Sequence, residues 1–470
     1  MVTSDCSIAA DRHSVASIVD TLGSGHTTQL FVHCCNVLPN VKELASRIPG
    51  LNRYAERALV LAGPEDIVFV HDPIDEHYLA FLAELGLGPR RERIVAVNTG
   101  KAAHENPCLS EQILHNTEVL ARLLRLLKGR EAVCLNSYFY SQSEMALNAV
   151  LRKMLGHQRC HPGANPDAVE LANQKHLVRR RAVELGIPVA PGEVVLLPER
   201  SCRPPVDVSA LERTVRRYLP HTGKVVIRGT CGSSGSATLI LDRSEESIRS
   251  RLEELVERTG NRIYLVEVGF DVAVSPNIGM YIDPKRKSIT CTSVTDQRLK
   301  AGIRHVGNSY PSRAVTCRQM IEDVRKLSEW LKDLGVTGHV GYDFCEHRHP
   351  KNGDDDYFFV EINPRVNGAT YPKGIVDRLN KNPMAVAHGL IEAFATTSIS
   401  TSARSFEVLA ERYGSLFFDP VTRSGIVPYN TGCLPYGTCE FAFLGKTRKE
   451  VEQLNDSVFN VLRPRASATA

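Results

Sequence analysis

The sequence predicts a mixed α/β protein of several domains, beginning with a mostly parallel sheet. Three observations favour this fold class. The chain has 470 residues, and at about 150 residues per domain this corresponds to roughly three units. Its apolar and charged shares, 43% and 23%, are those of ordinary globular proteins. Short apolar runs alternate with helical patterns through the first third of the chain, as in parallel sheets covered by helices.

The first domain is expected to span residues 1–164. Its predicted strands are the apolar runs 30–32, 67–70, 94–97 and 132–135. After the last run, Ser141 and Glu144 have the spacing of a capping box, and apolar residues follow at helical period to Leu155. The turn before this helix lies where α/β sheets often bind ligands. We therefore expect Tyr138, Tyr140 and Gln142 to form one wall of a substrate site.

The rest of the chain is divided into three further units, at 165–270, 271–401 and 402–470. A helix over 173–185 is followed by a proline-stiffened connector. The second unit then has a strand, helix and strand at 225–228, 244–258 and 263–267. Further strands are predicted at 237–241, 277–282, 288–292, 338–345 and 357–362, with a helix at 318–334 and a polar hairpin tip at 346–356.

Composition excludes several classes of protein. Lys and Arg exceed Asp and Glu by only four, 57 against 53, so no nucleic-acid partner is expected. No run approaches the ~20 apolar residues that span a membrane, and the start lacks a signal-peptide pattern. We expect a cytoplasmic protein. The 13 cysteines include no CxxC pair, which favours reduced structural thiols, and His157, Cys160 and His161 lack the second ligand pair of a zinc site. A homodimer is left open.

The strongest functional signal is the predicted hairpin of strands 338–345 and 357–362. Side chains alternate along a strand, so Glu361 and Asn363 point the same way and Asp343 can join them from the neighbouring strand. Two carboxylates and an amide suit Mg²⁺, with Mn²⁺ as an alternative ion. Arg365 would be a fixed cation beside a transferring phosphoryl group. The competing interpretation is that both acids are solvated strand residues, but apolar neighbours argue against it.

A second signal is the strand from Lys224 to Arg228, which runs into a loop rich in glycine and serine. Glycines let backbone amides approach an anion closely, and hydroxyls add donors. The loop could therefore cover nucleotide phosphates through Gly232, Ser233, Ser234 and Gly235. It is not a Walker loop, because it lacks a Gly-Lys-Ser ending and a following helix. An ordinary glycine-rich hairpin is the alternative.

A third element is the apolar strand 263–267, which ends in Glu267. Such a strand could offer backbone hydrogen bonds to an adenine edge, with Glu267 or Asp271 near the ribose. An ordinary buried strand explains the same pattern. Its position between the glycine-rich loop and the acidic hairpin is what favours the functional interpretation.

In this order, these motifs resemble the ATP-grasp superfamily over about residues 165–395. The helix with Lys175, the Gly/Ser loop, the Val-Glu strand and Glu361-Ile-Asn-Pro-Arg365 carry the resemblance. Within the superfamily the chain looks most like peptide and amino-acid ligases of the pheganomycin type. The segments 295–297, 308–312 and 437–445 carry that closer resemblance.

The resemblance implies a pre-ATP-grasp N-terminal domain, a small lobe with the loop, a large lobe with the metal site and a C-terminal extension. It also implies that Lys175 contacts nucleotide phosphates, that Glu267 lies at the adenine hinge and that Asp343, Glu361 and Asn363 hold Mg²⁺. Arg365 would steady an acyl phosphate. Arg228 is a candidate for catalysis and for binding the nucleotide phosphates, because the family usually has a lysine at this position. Whether Arg228 or Lys224 takes the role of that lysine is left open.

The predicted activity is an ATP-dependent ligase that converts a carboxylate to an acyl phosphate and transfers it to an amine, releasing ADP and phosphate. An amino acid or short peptide is the preferred substrate. Arg304 and Arg313 are candidates to hold its carboxylate, against the simpler interpretation that both face solvent. Two alternatives remain: a ligase or carboxylase that uses bicarbonate or a nucleotide precursor, and an inactive nucleotide-binding protein.

Overall fold

The computed structural model describes residues 15–23, 27–38, 41, 45–46, 48–97, 108–199, 206–232, 235–348 and 355–462. Three sheets organise this part of the chain. Parts of two predictions, namely the hairpin tip at 349–354 and the last eight residues, lie outside the described residues. No described helix is both long and apolar enough to cross a membrane.

The N-terminal sheet is parallel, with strand order β3-β2-β1-β4. Its strands are almost wholly buried, as expected when helices cover both faces. The capping box is confirmed, because Ser141 Oγ accepts from the Ser143 amide and Glu144 accepts from the Ser141 amide. The strands are β1 Thr27–Val32, β2 Ile67–Val70, β3 Ile94–Ala96 and β4 Ala132–Ser137. The helices are α1 Ile18–Leu22, α2 Glu76–Glu84, α3 Leu109–His115, α4 Thr117–Leu126 and α5 Gln142–Leu155, with 3-10 segments Cys35–Val37, Leu51–Val60 and Arg91–Arg93.

The second sheet is antiparallel, with order β5-β8-β6-β7. The two helices that follow β5 and β7 pack on one of its faces through a separate apolar core. The predicted helix over 173–185 begins at Lys175, and a shorter helix precedes it. The helices are α6 Pro166–Ala172, α7 Lys175–Glu184, α8 Ser209–Thr222 and α9 Ile248–Thr259, and the strands are β5 Gly192–Leu196, β6 Lys224–Gly229, β7 Thr238–Asp242 and β8 Ile263–Val268.

The third sheet has nine strands in the order β14-β13-β10-β11-β12-β15-β17-β16, with β9 paired to β13. The predicted strand at 288–292 continues to Lys300, and a further strand returns from Arg304. The strands are β9 Val272–Val274, β10 Pro276–Ile282, β11 Ile289–Lys300, β12 Arg304–Tyr310, β13 Gly338–Arg348, β14 Asp355–Asn363, β15 Ala393–Ser400, β16 Gly425–Tyr429 and β17 Thr438–Gly445. The helices are α10 Cys317–Asp333, α11 Thr370–Lys381, α12 Met384–His388, α13 Phe406–Tyr413 and α14 Arg448–Leu462, with 3-10 segments Gly414–Leu416 and Thr431–Tyr436.

The strands beyond residue 401 continue this large sheet, since β17 pairs with β15 along its whole length. The unit expected at 402–470 therefore contributes two strands to the third sheet and is not a separate layer. Helix α10 covers one face of the sheet and packs on Ile278, Met280 and Tyr342. Because side chains alternate, Asn277 and Asp343 lie on the opposite face, toward the other two sheets. That polar face positions the site.

Candidate active site

The predicted acidic hairpin is formed by β13 and β14, and its register places Asp343 directly opposite Glu361. Asn363 Nδ2 donates to Asp343 Oδ2 at 2.9 Å and to Glu361 Oε1 at 3.5 Å. Asn277, on the other neighbour of β13, donates to Asp343 Oδ1 at 2.5 Å. The structure thus brings together the three side chains named from strand alternation, and it adds Asn277.

The two carboxylates of this hairpin experience opposite electrostatic surroundings. Burial raises the pKa of Asp343, and the negative charge of Glu361 raises it further. Burial would also raise the pKa of Glu361, but the positive charges of Lys175, Arg228 and Arg365 outweigh it and the pKa is lowered. Asp343 is only 8% exposed. A buried carboxylate beside a second, ionised one lacks a compensating positive charge.

The donor set fits a hard divalent cation. Asp343 and Glu361 supply carboxylate oxygens, and the Asn363 amide can present an oxygen as well as the nitrogen that donates here. Mg²⁺ binds through one or two carboxylates and keeps further positions for water and phosphate oxygens. A cation between Asp343 and Glu361 would also remove the repulsion that raises the Asp343 pKa. The role of these residues as metal ligands stays a prediction.

Lys175 connects the hairpin to the glycine-rich loop. It is the first residue of α7, and its ammonium group lies 3.1 Å from Glu361 Oε2 and 3.0 Å from the Gly232 carbonyl oxygen. Its backbone amide donates to Thr230 in the same loop. A nearly buried ammonium at this point could hold an anion between the loop and the hairpin.

The loop between β6 and β7 makes close contacts that favour glycine. Gly232 and Gly235 have φ values of 152° and 75°. A Cβ at Gly235 would lie 2.7 Å from the Ile303 carbonyl oxygen, which belongs to the turn between β11 and β12. The loop therefore contacts the large sheet directly. Ser233 and Ser234 lie outside the described residues, so their predicted phosphate contacts stay predictions.

Arg228, and not Lys224, lies at the site end of β6. Its guanidinium donates to Glu267 Oε2 from Nε at 3.0 Å and from Nη2 at 2.6 Å, and Nη1 donates to the Val360 carbonyl in β14. Lys224 lies about 14 Å away along the strand, at ~3.4 Å per residue, where it pairs with Asp271. The Asp271 side chain is 91% exposed. Asp271 therefore lies at the end of β6 opposite to Arg228, and its predicted place near the ribose stays a prediction.

Glu267 is engaged by two arginines. Besides Arg228, Arg179 from α7 donates to Glu267 Oε1 at 3.0 Å, and the carboxylate is 5% exposed. Strand β8 pairs with β5 on one side and β6 on the other, so its backbone groups over 263–267 are used within the sheet. The expectation that this strand offers a free edge to adenine is wrong. The amides of Val268 and Gly269 are also used, because they donate to the Pro191 and Lys224 carbonyls.

Arg365 faces the N-terminal domain. Its Nη1 donates to Asn173 at 3.3 Å, whereas its buried Nε has no hydrogen-bond partner among the described residues. A cavity next to it is lined by Asn136, Tyr138, Tyr140 and His339 among others. Tyr138 and Tyr140 thus line a cavity, and their role as a wall of the substrate site stays a prediction. Gln142 instead bonds Asp167 at an exposed position.

The two arginines chosen as substrate ligands lie elsewhere. Arg313 is 61% exposed and pairs with Asp296. In β11 Asp296 follows Thr295, which pairs with Asn277, so the Asp296 side chain lies on the opposite face of the sheet from Asn277. Arg313 therefore lies toward the α10 face, away from Asp343. Arg304 is exposed at the start of β12, and its neighbour His305 bonds Asn308 instead. The simpler interpretation, that Arg304 and Arg313 face solvent, fits these positions better than a role in holding a substrate carboxylate.

Three site residues were not identified from the sequence. Asn277 and Asn367 form a chain of amides, in which Asn367 Nδ2 donates to Asn277 Oδ1 at 3.0 Å. The local signal that could have indicated this buried chain of amides is an asparagine inside the buried strand β10. Arg179 lies on the helix predicted over 173–185, and only the tertiary fold brings it to Glu267.

Comparisons with known proteins agree with this architecture. Residues 55–152 match the family model described as the Pre ATP-grasp domain. An N5-carboxyaminoimidazole ribonucleotide synthetase in its ADP complex is similar in structure, with a TM-score of 0.52, 12% identity and coverage of 93% of this chain and 96% of that chain. The Staphylococcus aureus enzyme with ADP gives a TM-score of 0.51 at 11% identity, covering 93% and 97%. No curated protein matches the sequence.

The fold class is therefore confirmed. A parallel-sheet pre-ATP-grasp domain precedes an ATP-grasp-like domain of antiparallel sheets, and the hairpin site lies on the face between them.

Proposed function

We propose that this protein is an ATP-dependent carboxylate–amine ligase that acts through an acyl phosphate and releases ADP and phosphate. One observation carries the proposal. Asp343, Glu361 and Asn363 converge on the inner face of the large sheet, and Lys175 joins them to the glycine-rich loop. In an ATP-grasp fold, this arrangement suits a nucleotide whose phosphates lie between loop and hairpin.

The chain's own residues would act mainly by positioning and by neutralising charge. Lys175 would hold phosphate oxygens against the hairpin, and Arg365 would face the transferring phosphoryl group from the side of the N-terminal domain. A Mg²⁺ ion held by Asp343, Glu361 and Asn363 would neutralise the charge on the phosphates. The substrate carboxylate attacks the γ-phosphorus and ADP leaves. The amine then attacks the acyl carbon, and phosphate leaves.

Arg228 is assigned a supporting role in this proposal. Its two bonds to Glu267 and its bond to the Val360 carbonyl tie the small sheet to the metal hairpin. Its charge also helps to keep Glu361 ionised. Arg228 would thus position the hairpin for metal binding, even if it does not itself contact the nucleotide.

Similar structures support nucleotide binding, since both relatives were solved with ADP. They also favour the alternative of a carboxylase-like ligase, because each is named for the synthesis of a carboxylated aminoimidazole. An inactive nucleotide-binding protein is the third candidate. The convergence of all three predicted metal ligands speaks against it.

The test is release of ADP and phosphate in the presence of Mg²⁺, measured over an array of amino-acid pairs and with bicarbonate as a separate arm. Mass measurement of any amide formed identifies the product. We expect turnover that needs both a carboxylate and an amine. Formation of AMP and pyrophosphate would contradict the acyl-phosphate route, and turnover with bicarbonate alone would favour the carboxylase alternative.

A matched pair of variants in the same hairpin controls for folding. Glu361→Gln removes a metal ligand and should abolish turnover, whereas Asp356→Asn changes an exposed acid of β14 and should not. Equal rates in the two variants would remove the metal assignment.

A further inference from the structure

A second polar cluster lies where the 3-10 segment Leu51–Val60 meets the C-terminal strands. At its centre is Arg57, which is 7% exposed. The guanidinium carbon lies 4.3 Å from the ring centroid of Tyr54 and 4.6 Å from that of Tyr371, and Tyr138 is 5.8 Å away. Aromatic faces stabilise a cation but leave the edge of its guanidinium available for hydrogen bonds.

Most of the donors on that edge are unused. Arg57 Nε donates to the Tyr54 carbonyl at 3.3 Å, and Nη2 makes a long contact of 3.6 Å with Cys35 Sγ. No described residue accepts a hydrogen bond from Nη1, and no described carboxylate forms an ion pair with this guanidinium. A nearly buried arginine without a carboxylate partner is uncommon, because its charge has lost most of its water.

The acidic group that interacts with Arg57 electrostatically is Glu440, in β17. It stands opposite Tyr429 of β16 and Ser398 of β15. Burial raises the pKa of Glu440 and the charge of Arg57 opposes that rise, so the two groups lie within electrostatic reach. They are not in contact. We call the space between the Arg57 guanidinium and the Glu440 carboxylate the gap. It would suit a ligand that carries both a negative and a positive charge.

The two sides of the gap are fixed relative to each other. Glu56, next to Arg57, accepts hydrogen bonds from the Thr431 hydroxyl at 2.6 Å and the Gly432 amide at 2.8 Å. These residues begin the 3-10 segment that leads into β17. The gap is therefore a rigid feature between the N-terminal domain and the large sheet.

The gap also adjoins the proposed reaction site. Tyr138 contacts Arg57 and lines the cavity beside Arg365. Cys35 interacts electrostatically with both Arg57 and Arg365. Burial raises the pKa of its thiol, and the positive charges of the two arginines oppose that rise. A ligand held at Arg57 would thus have the phosphoryl-transfer site on one side.

From this geometry we infer a binding site for a small zwitterion, an α-amino acid or the end of a short peptide, with its carboxylate on Arg57 and its ammonium on Glu440. The tyrosine rings would border the rest of the molecule. This assignment rests on the proposed ligase function and names the residues that select its amino-acid substrate. Arg57 and Glu440 replace Arg304 and Arg313 in that role.

The first test uses the unaltered protein. Binding of L-amino acids is measured by thermal shift and calorimetry in the presence of Mg²⁺ and ADP, together with the matching N-acetyl amino acids and amino-acid amides. Loss of one charged contact should weaken binding by ~10-fold or more. We therefore expect both blocked series to bind at least ~10-fold more weakly than the free amino acids. Equal binding of free and blocked forms would overturn the site.

The second test assigns each charge to a residue. Glu440→Gln keeps the size of the side chain and should reduce the preference for free over N-acetyl amino acids to below ~3-fold. Arg57→Lys keeps a cation, and Arg57→Gln removes it, so only the second should erase the preference for free acids over amides. Glu407→Gln, an exposed acid of α13, is the control. Unchanged selectivity in the folded Glu440→Gln and Arg57→Gln proteins would contradict the assignment.

These outcomes separate the site from the proposed function. Selective amino-acid binding that depends on Arg57 and Glu440, without any amide product, would leave the site standing and remove the ligase. Amide formation that is insensitive to both residues would leave the ligase standing and remove the site.

Discussion

The buried contact between Glu267 and two arginines gives a direct test of how the small sheet is held to the hairpin. Glu267 accepts three charged hydrogen bonds, one from Arg179 and two from Arg228. All three side chains are between 5% and 14% exposed. In Glu267→Gln the shape is kept, but two buried cations lose the one carboxylate among the described residues to which they donate hydrogen bonds.

Removing one partner from a buried charge network typically costs about 3–5 kcal/mol. An amide oxygen can still accept one bond, so we expect a loss of about 3 kcal/mol in the free energy of unfolding. The measurement is urea denaturation followed by circular dichroism, with thermal unfolding in parallel. Glu253→Gln is the control, because this partly exposed acid of α9 contacts Arg249 only at 3.8 Å. It should change stability by about 0.5 kcal/mol or less.

A change below about 1 kcal/mol in Glu267→Gln would refute this reasoning. The sequence had instead suggested that Glu267 lies near the adenine or the ribose of the nucleotide. That role would give the opposite result, with ADP affinity falling while the stability of the free protein stays the same.

Three further predictions follow from single side chains. Burial lowers the pKa of His339 to about 4, so below about pH 6.5 the unfolded chain binds a proton that the folded chain excludes. Between pH 7 and 5 the wild type should therefore lose about 2 kcal/mol more stability than His339→Gln. Exposed His77→Gln is the control, and an equal loss of stability in wild type and His339→Gln would contradict this prediction. In Gly341→Ala the new Cβ would lie 2.2 Å from Asn367 Nδ2, so the Mg²⁺ concentration needed for turnover should rise about tenfold; Gly414→Ala, which meets no atom within 4 Å, should leave it unchanged, and equal requirements would disprove the contact. Arg365→Lys should lower kcat by about 100-fold with little change in nucleotide affinity, and a loss confined to affinity would exclude a role in phosphoryl transfer.

Much of the fold was predictable because local patterns and tertiary structure agree. The four N-terminal strands are short apolar runs buried on both faces, and the Ser141–Glu144 capping box begins α5 as the spacing indicated. The hairpin site followed from alternation alone, since Asp343 and Glu361 are directly opposite in the register. In these cases the signal lay within a single strand, helix start or hairpin.

The missed features depend on contacts between distant segments. Strand β12 and the strands after residue 401 form by pairing with other strands of the large sheet. No local sequence pattern specifies this pairing. Arg179 reads as part of a solvated basic face, yet it is turned toward Glu267 by the packing of α7. Arg57 and Glu440 are almost 400 residues apart in the chain, so only the assembled fold shows that they share one space.

The central claim is that Asp343, Glu361 and Asn363 hold the metal that accompanies ATP. Mn²⁺ binding followed by electron paramagnetic resonance, with and without ADP, tests this most directly. The account predicts a nucleotide-dependent Mn²⁺ site that is weakened at least ~30-fold by Asp343→Asn or Glu361→Gln and unaffected by Asp356→Asn. Equal Mn²⁺ affinity in wild type and all three variants would contradict it.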